Sequence, residues 1–261
     1  MSREQSPDRP VTAPGSALPP GSAARSDSAS PGSAAESAGA AGRYEQLRQA
    51  MTRCGDPSKA VQMAAYMKNR FSFYGIQTPA RRAIYNELLK QERRAKRVDW
   101  LLLDLCWQDP GREMQYFVCD YLLRMNRFLI WDDVPRLEQY VRSRQWWDTI
   151  DVLTKVIGTI GRLDARIGGL MLRWAADPDL WVRRTAIEHQ LGWKAQTDTA
   201  LLSQILEACM GTEEFFINKA MGWALRDYSK TDPDWVRNFI EEHVDDLNAL
   251  TVREGSKYLT W

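Results

Sequence analysis

The chain has few of the residues that metal centres and nucleophilic active sites require. Its 261 residues include two histidines, His189 and His243, and four cysteines without CxxC spacing. So few ligands argue against a zinc site, and the histidines are not placed for a Ser-His-Asp or Cys-His arrangement. The glycine pair Gly168-Gly169 lies in an apolar segment and lacks the pattern of a phosphate-binding loop. The sequence therefore predicts a protein with no metal and no cofactor.

Long apolar runs are also missing. No stretch approaches the length that spans a membrane, and the N-terminus lacks the charged start and apolar block of a secretory signal. Cys106 and Cys119 lie among apolar residues, which predicts buried thiols. We expect a cytoplasmic protein with no membrane contact. The formal net charge of +1 neither favours nor excludes a polyanionic partner.

Residues 1–43 contain no aromatic residue and consist mainly of Ala, Ser, Gly and Pro, with four Arg balanced by four acidic residues. Such a segment buries too little apolar surface to offset its ordering entropy, so we predict disorder. A targeting peptide is the alternative, although the interspersed Asp and Glu count against it. Residues 44–261 are predicted to form one domain.

From Tyr44 onward the sequence is typical of consecutive helices, and no strand alternation is evident. A pattern returns every 34 residues, with predicted helix starts at Asp109, Ser143, Asp177 and Gly211. Apolar residues recur nine, ten and fourteen positions after each start, on one side of a helix. A helical repeat of this length predicts an all-α stack of about six helical pairs with a concave surface.

Helix caps are predicted where an acidic residue precedes proline. This pattern occurs at Asp56-Pro57, Asp109-Pro110, Asp177-Pro178 and Asp232-Pro233, and Thr78-Pro79 is predicted to act in the same way.

One stripe of the repeat breaks the apolar rule. Positions four, eight and twelve after each start lie on one side of a helix, because steps of four residues drift by only about 40°. They mix aromatic and charged residues, which favours a lined groove: Glu113, Phe117 and Tyr121; Trp147, Asp151 and Lys155; Trp181, Thr185 and His189; Phe215, Lys219 and Trp223.

Within this stripe, Trp147 and Asp151 are one turn apart, so an indole and a carboxylate point the same way. The structural alternative is a core Trp147 and an Asp151 that caps a helix or forms a salt bridge. Similarly, Arg183 and Arg184 could reach the groove or form a surface pair bonded to acidic side chains. Residues 81–97 hold seven basic and two acidic residues, which is typical of a solvated helix face but also suits phosphate contacts.

Five segments in order make the chain resemble the bacterial DNA alkylation repair glycosylases of the AlkD type. They are residues 63–71, 75–82, 146–151, 181–187 and 214–226, and the similarity extends from about residue 44 to the C-terminus. The resemblance implies a right-handed superhelix of HEAT-like repeats with a concave DNA-binding groove. It also places the family's catalytic carboxylate on Asp151, its aromatic walls on Trp147 and Trp223, and its active-site arginine on Arg184. The interval between Asp151 and Arg184 is slightly shorter than in the family.

The resemblance further implies DNA contacts by Tyr66, Lys194, Lys219 and Arg226. The implied activity is release of cationic N3- or N7-alkylated purines from duplex DNA, without a deep base-flipping pocket, by a monomer in the bacterial nucleoid. In that mechanism Asp151 stands bare between the two indoles, and Arg184 holds the phosphate of the bent backbone. Two other functions stay open: a non-catalytic DNA-binding scaffold and a protein-binding solenoid, whose groove would lack positive potential.

Overall fold

The computed structural model describes the backbone of residues 31–260 and the side chains of residues 35–260, and this part of the chain is a stack of α-helices. The predicted all-α fold of helical repeats is confirmed. No helix of the described part is long and apolar enough to cross a membrane. The helices are α1 (Pro31–Cys54), α2 (Pro57–Tyr66), α3 (Thr78–Ala95), α4 (Trp100–Gln108), α5 (Arg112–Met125), α6 (Val134–Val141), α7 (Trp147–Gly161), α8 (Arg166–Ala175), α9 (Leu180–Glu188), α10 (Thr199–Cys209), α11 (Phe215–Tyr228), α12 (Pro233–Glu242) and α13 (Ala249–Gly255).

The domain boundary predicted at Tyr44 falls inside α1. Residues 1–30 lie outside the described part, but residues 31–43 are helical, so the prediction of disorder is wrong for them. Ala40 is buried, and Arg43 forms an ion pair with Asp99 at the start of α4. These contacts stabilise the first half of α1, which its composition alone did not predict.

The four helices of the predicted repeat begin three or four residues later than predicted. They start at Arg112, Trp147, Leu180 and Phe215, with intervals of 35, 33 and 35 residues instead of a constant 34. The predicted starts at Asp109, Ser143, Asp177 and Gly211 are therefore wrong. Asp109 and Asp177 accept hydrogen bonds from the backbone N–H groups of Gly111 and Asp179, so they stabilise loops that precede the helices.

Two of the predicted caps are confirmed and the Thr78 cap is displaced. Asp56 and Asp232 each accept N–H groups of the first turn, with proline at the first helical position. Thr78 is itself the first residue of α3, and Gln77 before it makes no side-chain cap.

The uneven intervals change which residues face the groove. A shift of one residue rotates a side chain by about 100° around the helix. The predicted stripe is therefore exposed or half-buried on α7 and α11 but buried on α5 and α9, where Glu113, Phe117, Tyr121, Trp181, Thr185 and His189 are core residues. On α5 and α9 the positions that match Asp151, the fifth residue of α7, are Tyr116 and Arg184.

The buried core packs α7 against the neighbouring helices. Cys106 and Cys119 are buried, as predicted. Helix α7 packs between α5 and α9, and α9 packs against α11. Gly158 allows a close approach of α7 to the end of α9: a Cβ atom there would lie 2.2 Å from the carbonyl oxygen of His189.

Candidate active site

The centre of the candidate site is an ion pair between Asp151 on α7 and Arg184 on α9. The Arg184 Nε donates to Asp151 Oδ1 at 2.9 Å, and its Nη2 donates to Oδ2 at 3.1 Å. Each residue is the fifth of its helix, so the 33-residue interval between them equals the interval between the two helix starts. The shortened spacing therefore leaves Arg184 within reach of Asp151.

The pair is asymmetric with respect to solvent. The Asp151 side chain is 21% exposed, whereas the Arg184 side chain is 2% exposed. The carboxylate is therefore partly accessible to solvent, whereas the guanidinium is buried. The expectation that Asp151 stands bare is wrong, because both of its oxygens accept hydrogen bonds, but the group stays accessible.

Arg184 makes its hydrogen bonds inside the protein. Besides binding Asp151, its Nη1 donates to the carbonyl oxygen of Phe216 at the start of α11, at 2.8 Å. A buried guanidinium with these partners orients Asp151 and joins three helices. The structure therefore does not support the expected phosphate contact by Arg184.

A second buried arginine holds the other side of α7. Arg112, the first residue of α5, donates to both carboxylate oxygens of Asp148, at 2.6 and 3.1 Å, and to the carbonyl oxygen of Arg144 at 2.8 Å. Tyr116 also donates to Asp148 at 2.6 Å. Arg112 and Asp148 are almost fully buried, so this pair is structural, and Asp151 is the more accessible carboxylate of the segment 146–151.

The two indoles have different surroundings. Trp147 is half-buried, and the edge of the exposed Tyr66 ring contacts it with centroids 6.3 Å apart. Trp223 lies among three cations, Arg184, Lys219 and Arg226, at 5.3 to 5.9 Å from its ring centroid. Among the described side chains, no Lys or Arg lies over the Trp147 ring, in contrast to Trp223.

The predicted DNA contacts are distributed along the groove. Lys219 and Arg226 lie beside Trp223, and each donates to Glu254, at 2.7 and 2.9 Å. These bonds lower the pKa of Glu254, chiefly through the hydrogen bond from Lys219. Lys194 is exposed and lies next to Trp193, which packs on Gly161 at the far end of α7, about 15 Å along the helix from Asp151. The structure thus does not place Lys194 at the ion pair.

Sequence reasoning missed Glu188, the last residue of α9. It is 2% exposed, and its Oε1 lies 2.9 Å from Nη2 of Arg184. Burial raises the pKa of Glu188 to about 8, against the opposing effect of Arg184 and with a further rise from Asp151. The spacing in the sequence does indicate this contact, because Glu188 follows Arg184 by one helical turn and therefore lies on the same face of the helix.

Sequence reasoning also missed the position of Arg70. Its guanidinium lies 4.2 Å from the centroid of the Trp146 ring, next to Trp147, and the side chain is exposed. The preceding Lys68 and Asn69 both have positive φ values, at 58° and 55°, which turn the chain towards α7. No local pattern of the sequence indicates this contact.

Two clefts lie along α3 and α5, and one of them reaches Trp147 on α7. One, of about 570 Å³, passes Trp147 and is also lined by Thr78, Arg82, Tyr116 and Asp120. The other, of about 480 Å³, shares Arg82 and Asp120 with the first. Its lining is rich in arginine and asparagine: Asn86, Arg93, Arg124, Asn126 and Arg127. Among the described residues, no group of three His, Cys, Asp or Glu side chains is arranged to hold a metal ion.

The chain is similar to known proteins over most of its length. A family model described as DNA alkylation repair enzyme matches residues 47–259. A solved structure described as a predicted DNA alkylation repair enzyme from Enterococcus faecalis is 35% identical, over 79% of this chain and 97% of that chain, with a TM-score of 0.72. The smu.31 protein of Streptococcus mutans UA159 shares the fold at 16% identity, over 67% of this chain and 94% of that chain, with a TM-score of 0.50. No curated protein matches the chain at a significant level.

Proposed function

We propose, because the chain belongs to the DNA alkylation repair enzyme family, that it is a monofunctional DNA glycosylase acting on alkylated purines in duplex DNA. Its substrates are bases alkylated at N3 or N7, which carry a positive charge. The observation that supports this activity best is the partly exposed Asp151 carboxylate. Arg184 holds this carboxylate in place and is itself bonded to the start of α11.

The reaction needs little acid catalysis. An alkylated purine is already cationic, so when its bond to C1′ breaks, the bonding electrons neutralise the departing base. The positive charge moves to the sugar, which becomes oxocarbenium-like, as in glycoside hydrolysis. Water then adds to C1′ and loses a proton, giving an abasic site and the free base. The protein has to stabilise the sugar cation and orient this water.

The orientation of the ion pair suits this task. Although Asp151 and Arg184 together are neutral, the carboxylate lies nearer the groove than the buried guanidinium, so the negative end of the pair faces the sugar. A preorganised charged group of this kind typically accelerates a reaction by a factor of about 10²–10³. The open face of Trp147 adds a cation–π contact with the sugar, whereas Trp223 already contacts three cations and closes the wall behind Asp151.

Duplex DNA lies along the groove in this proposal. Tyr66, Lys219 and Arg226 contact the backbone near the reacting sugar, and Lys194 contacts a more distant phosphate. The arginine-lined cleft between α3 and α5 extends the same surface to the other side of Trp147. Because phosphate neutralisation dominates such binding, affinity falls steeply with salt. An open groove also accommodates a base that is not drawn into a deep pocket.

The test is release of free methylated base from methylated duplex DNA under single-turnover conditions. Asp151→Asn is expected to bind DNA as wild type does but to release base at least 100-fold more slowly, because the neutral amide does not stabilise the sugar cation. Asp148→Asn is the matched control: it removes the other arginine-paired carboxylate of α7, so it lowers stability but retains chemistry below its melting temperature. Near-normal release by Asp151→Asn contradicts the proposal.

The same experiment separates the alternative functions. A non-catalytic DNA-binding scaffold binds duplex DNA with strong salt dependence and releases no base. A protein-binding solenoid shows neither property. The accessible, arginine-oriented carboxylate favours the enzyme, since a scaffold that binds phosphates gains nothing from a negative charge in its groove.

A further inference from the structure

Glu188 is a buried carboxyl group directly behind the proposed catalytic pair. Its side chain is on the last turn of α9, one turn after Arg184, and almost none of it is exposed. Nη2 of Arg184 lies 2.9 Å from its Oε1, yet no N–H group donates to this oxygen in hydrogen-bonding geometry. One guanidinium therefore lies against two carboxyl groups, while its hydrogen bonds go to Asp151 and to the Phe216 carbonyl oxygen.

The cluster of Asp151, Arg184 and Glu188 is not expected to hold both carboxyl groups in the charged form. Two carboxyl groups close to one cation compete for it, and the more buried group keeps its proton to higher pH. The charged groups that face Glu188 are Arg184 on its own helix and Asp151 and Lys155 on α7. Burial, reinforced by Asp151, raises the pKa of Glu188 to about 8, while Arg184 and Lys155 oppose the rise.

We propose that Glu188 is a positioning residue, which fixes the Arg184 guanidinium against Asp151 and makes base release depend on pH. The proposal rests on the glycosylase activity proposed above. When Glu188 is protonated, Asp151 and Arg184 form a neutral pair. When Glu188 loses its proton, the cluster carries one net negative charge, and Arg184 is shared between two carboxylates. Asp151 is then less neutralised, and the sugar cation is better stabilised.

A rate of base release that rises with pH is not expected from this class of substrate. An alkylated purine is cationic before it reacts, so the chemistry itself does not require a protonation step. A rise in rate with pH therefore reports a group of the protein. One added charge about 12 Å from the sugar, at an effective dielectric constant of about 20, corresponds to about 1.4 kcal/mol, a rate increase of roughly tenfold.

The experiment is the single-turnover release of 3-methyladenine from methylated duplex DNA between pH 6 and 9, with the uncatalysed release subtracted. For the wild-type protein we expect a rise of roughly tenfold with a midpoint near pH 8. Glu188→Gln cannot ionise but has the same shape, so its rate is expected to stay at the low-pH value of the wild type throughout. A flat wild-type profile, or the same rise in Glu188→Gln, overturns the proposal.

Glu188→Met tests the positioning role separately, because it removes the oxygen beside Arg184 while keeping most of the volume. We expect slower release at every pH. The protein concentration that gives half of the maximal single-turnover rate, which reports DNA binding, is expected to stay the same. A Glu188→Met variant as fast as Glu188→Gln at pH 6 overturns this part. If Glu188→Met does not fold in thermal unfolding experiments, the wild-type and Glu188→Gln profiles still decide the pH dependence.

Asp151→Asn separates the two proposals. If that variant is inactive and Glu188→Gln behaves as wild type, the glycosylase proposal stands and the role of Glu188 fails. If Asp151→Asn is fully active, the glycosylase mechanism itself fails.

Discussion

Gly158→Ala is expected to destabilise the protein and to disturb the candidate site through packing alone. The new Cβ atom would lie 2.2 Å from the His189 carbonyl oxygen, about 1 Å closer than an ordinary contact, and a backbone atom cannot move aside alone. Overpacking of this kind costs typically 1–3 kcal/mol, against a gain of up to about 1 kcal/mol from the higher helix propensity of alanine. We therefore expect a net loss of about 1–2 kcal/mol, or roughly 2–8 °C in Tm.

Gly169→Ala is the matched control, because it makes the same change in α8 where the new Cβ atom meets only the end of the Arg173 side chain, at 3.9 Å. This variant is expected to gain up to about 1 kcal/mol. The assay is thermal unfolding of both variants, followed by base release at a temperature where both are folded. Gly158→Ala should release base more slowly, because α7 carries Asp151 and α9 carries Arg184. Equal stability of the two variants would refute the close approach of α7 and α9.

Three further predictions concern charge and aromatic contacts. Folded protein keeps the Glu188 proton up to about pH 8, whereas an unfolded glutamate loses it near pH 4.5, so stability falls as pH rises between these values, by on the order of 4 kcal/mol. Urea unfolding at pH 5, 6.5 and 8 should show this fall in the wild type and its absence in Glu188→Gln. Trp147→Ala should slow base release more than Trp223→Ala, because only the Trp147 face is free of cations; equal single-turnover rates would contradict this. Arg112→Met leaves Asp148 buried without its arginine partner and should cost about 3–5 kcal/mol, whereas Arg48→Met, which removes only the exposed Arg48–Glu45 pair, should leave the urea unfolding curve nearly unchanged.

The general architecture could be predicted because it depends on local patterns. Apolar spacing predicted the helices, Cys106 and Cys119 were correctly assigned to the core, and the caps at Asp56 and Asp232 follow from an acidic residue before proline. The same local pattern failed at Asp109, where Tyr44 and Tyr74 from other parts of the chain donate to the carboxylate and hold it in a loop. Local sequence cannot report partners that arrive from 35 or 65 residues away.

The site was only partly predictable, for a geometric reason. A constant period of 34 averages intervals of 35, 33 and 35, and an error of one residue turns a side chain by about 100°. This error placed His189 and Trp181 in the groove, whereas both are buried. The ion pair between Asp151 and Arg184 depends on the lateral packing of α7 against α9, which spacing along the chain does not determine. The catalytic and DNA-binding roles of the named residues remain predictions.

The two buried arginines have a consequence for motion. Arg112 binds one side of α7 and Arg184 binds the other, so this central helix is held on both sides by buried arginines, whereas α2 contributes no buried residue and α12 packs mainly on α11. The ends can therefore breathe, with faster amide exchange in α2 and α12 than in α7, without loosening the carboxylate. In the function proposed above, a stiff midpoint between compliant ends would make the duplex, rather than the protein, deform where the damaged nucleotide lies.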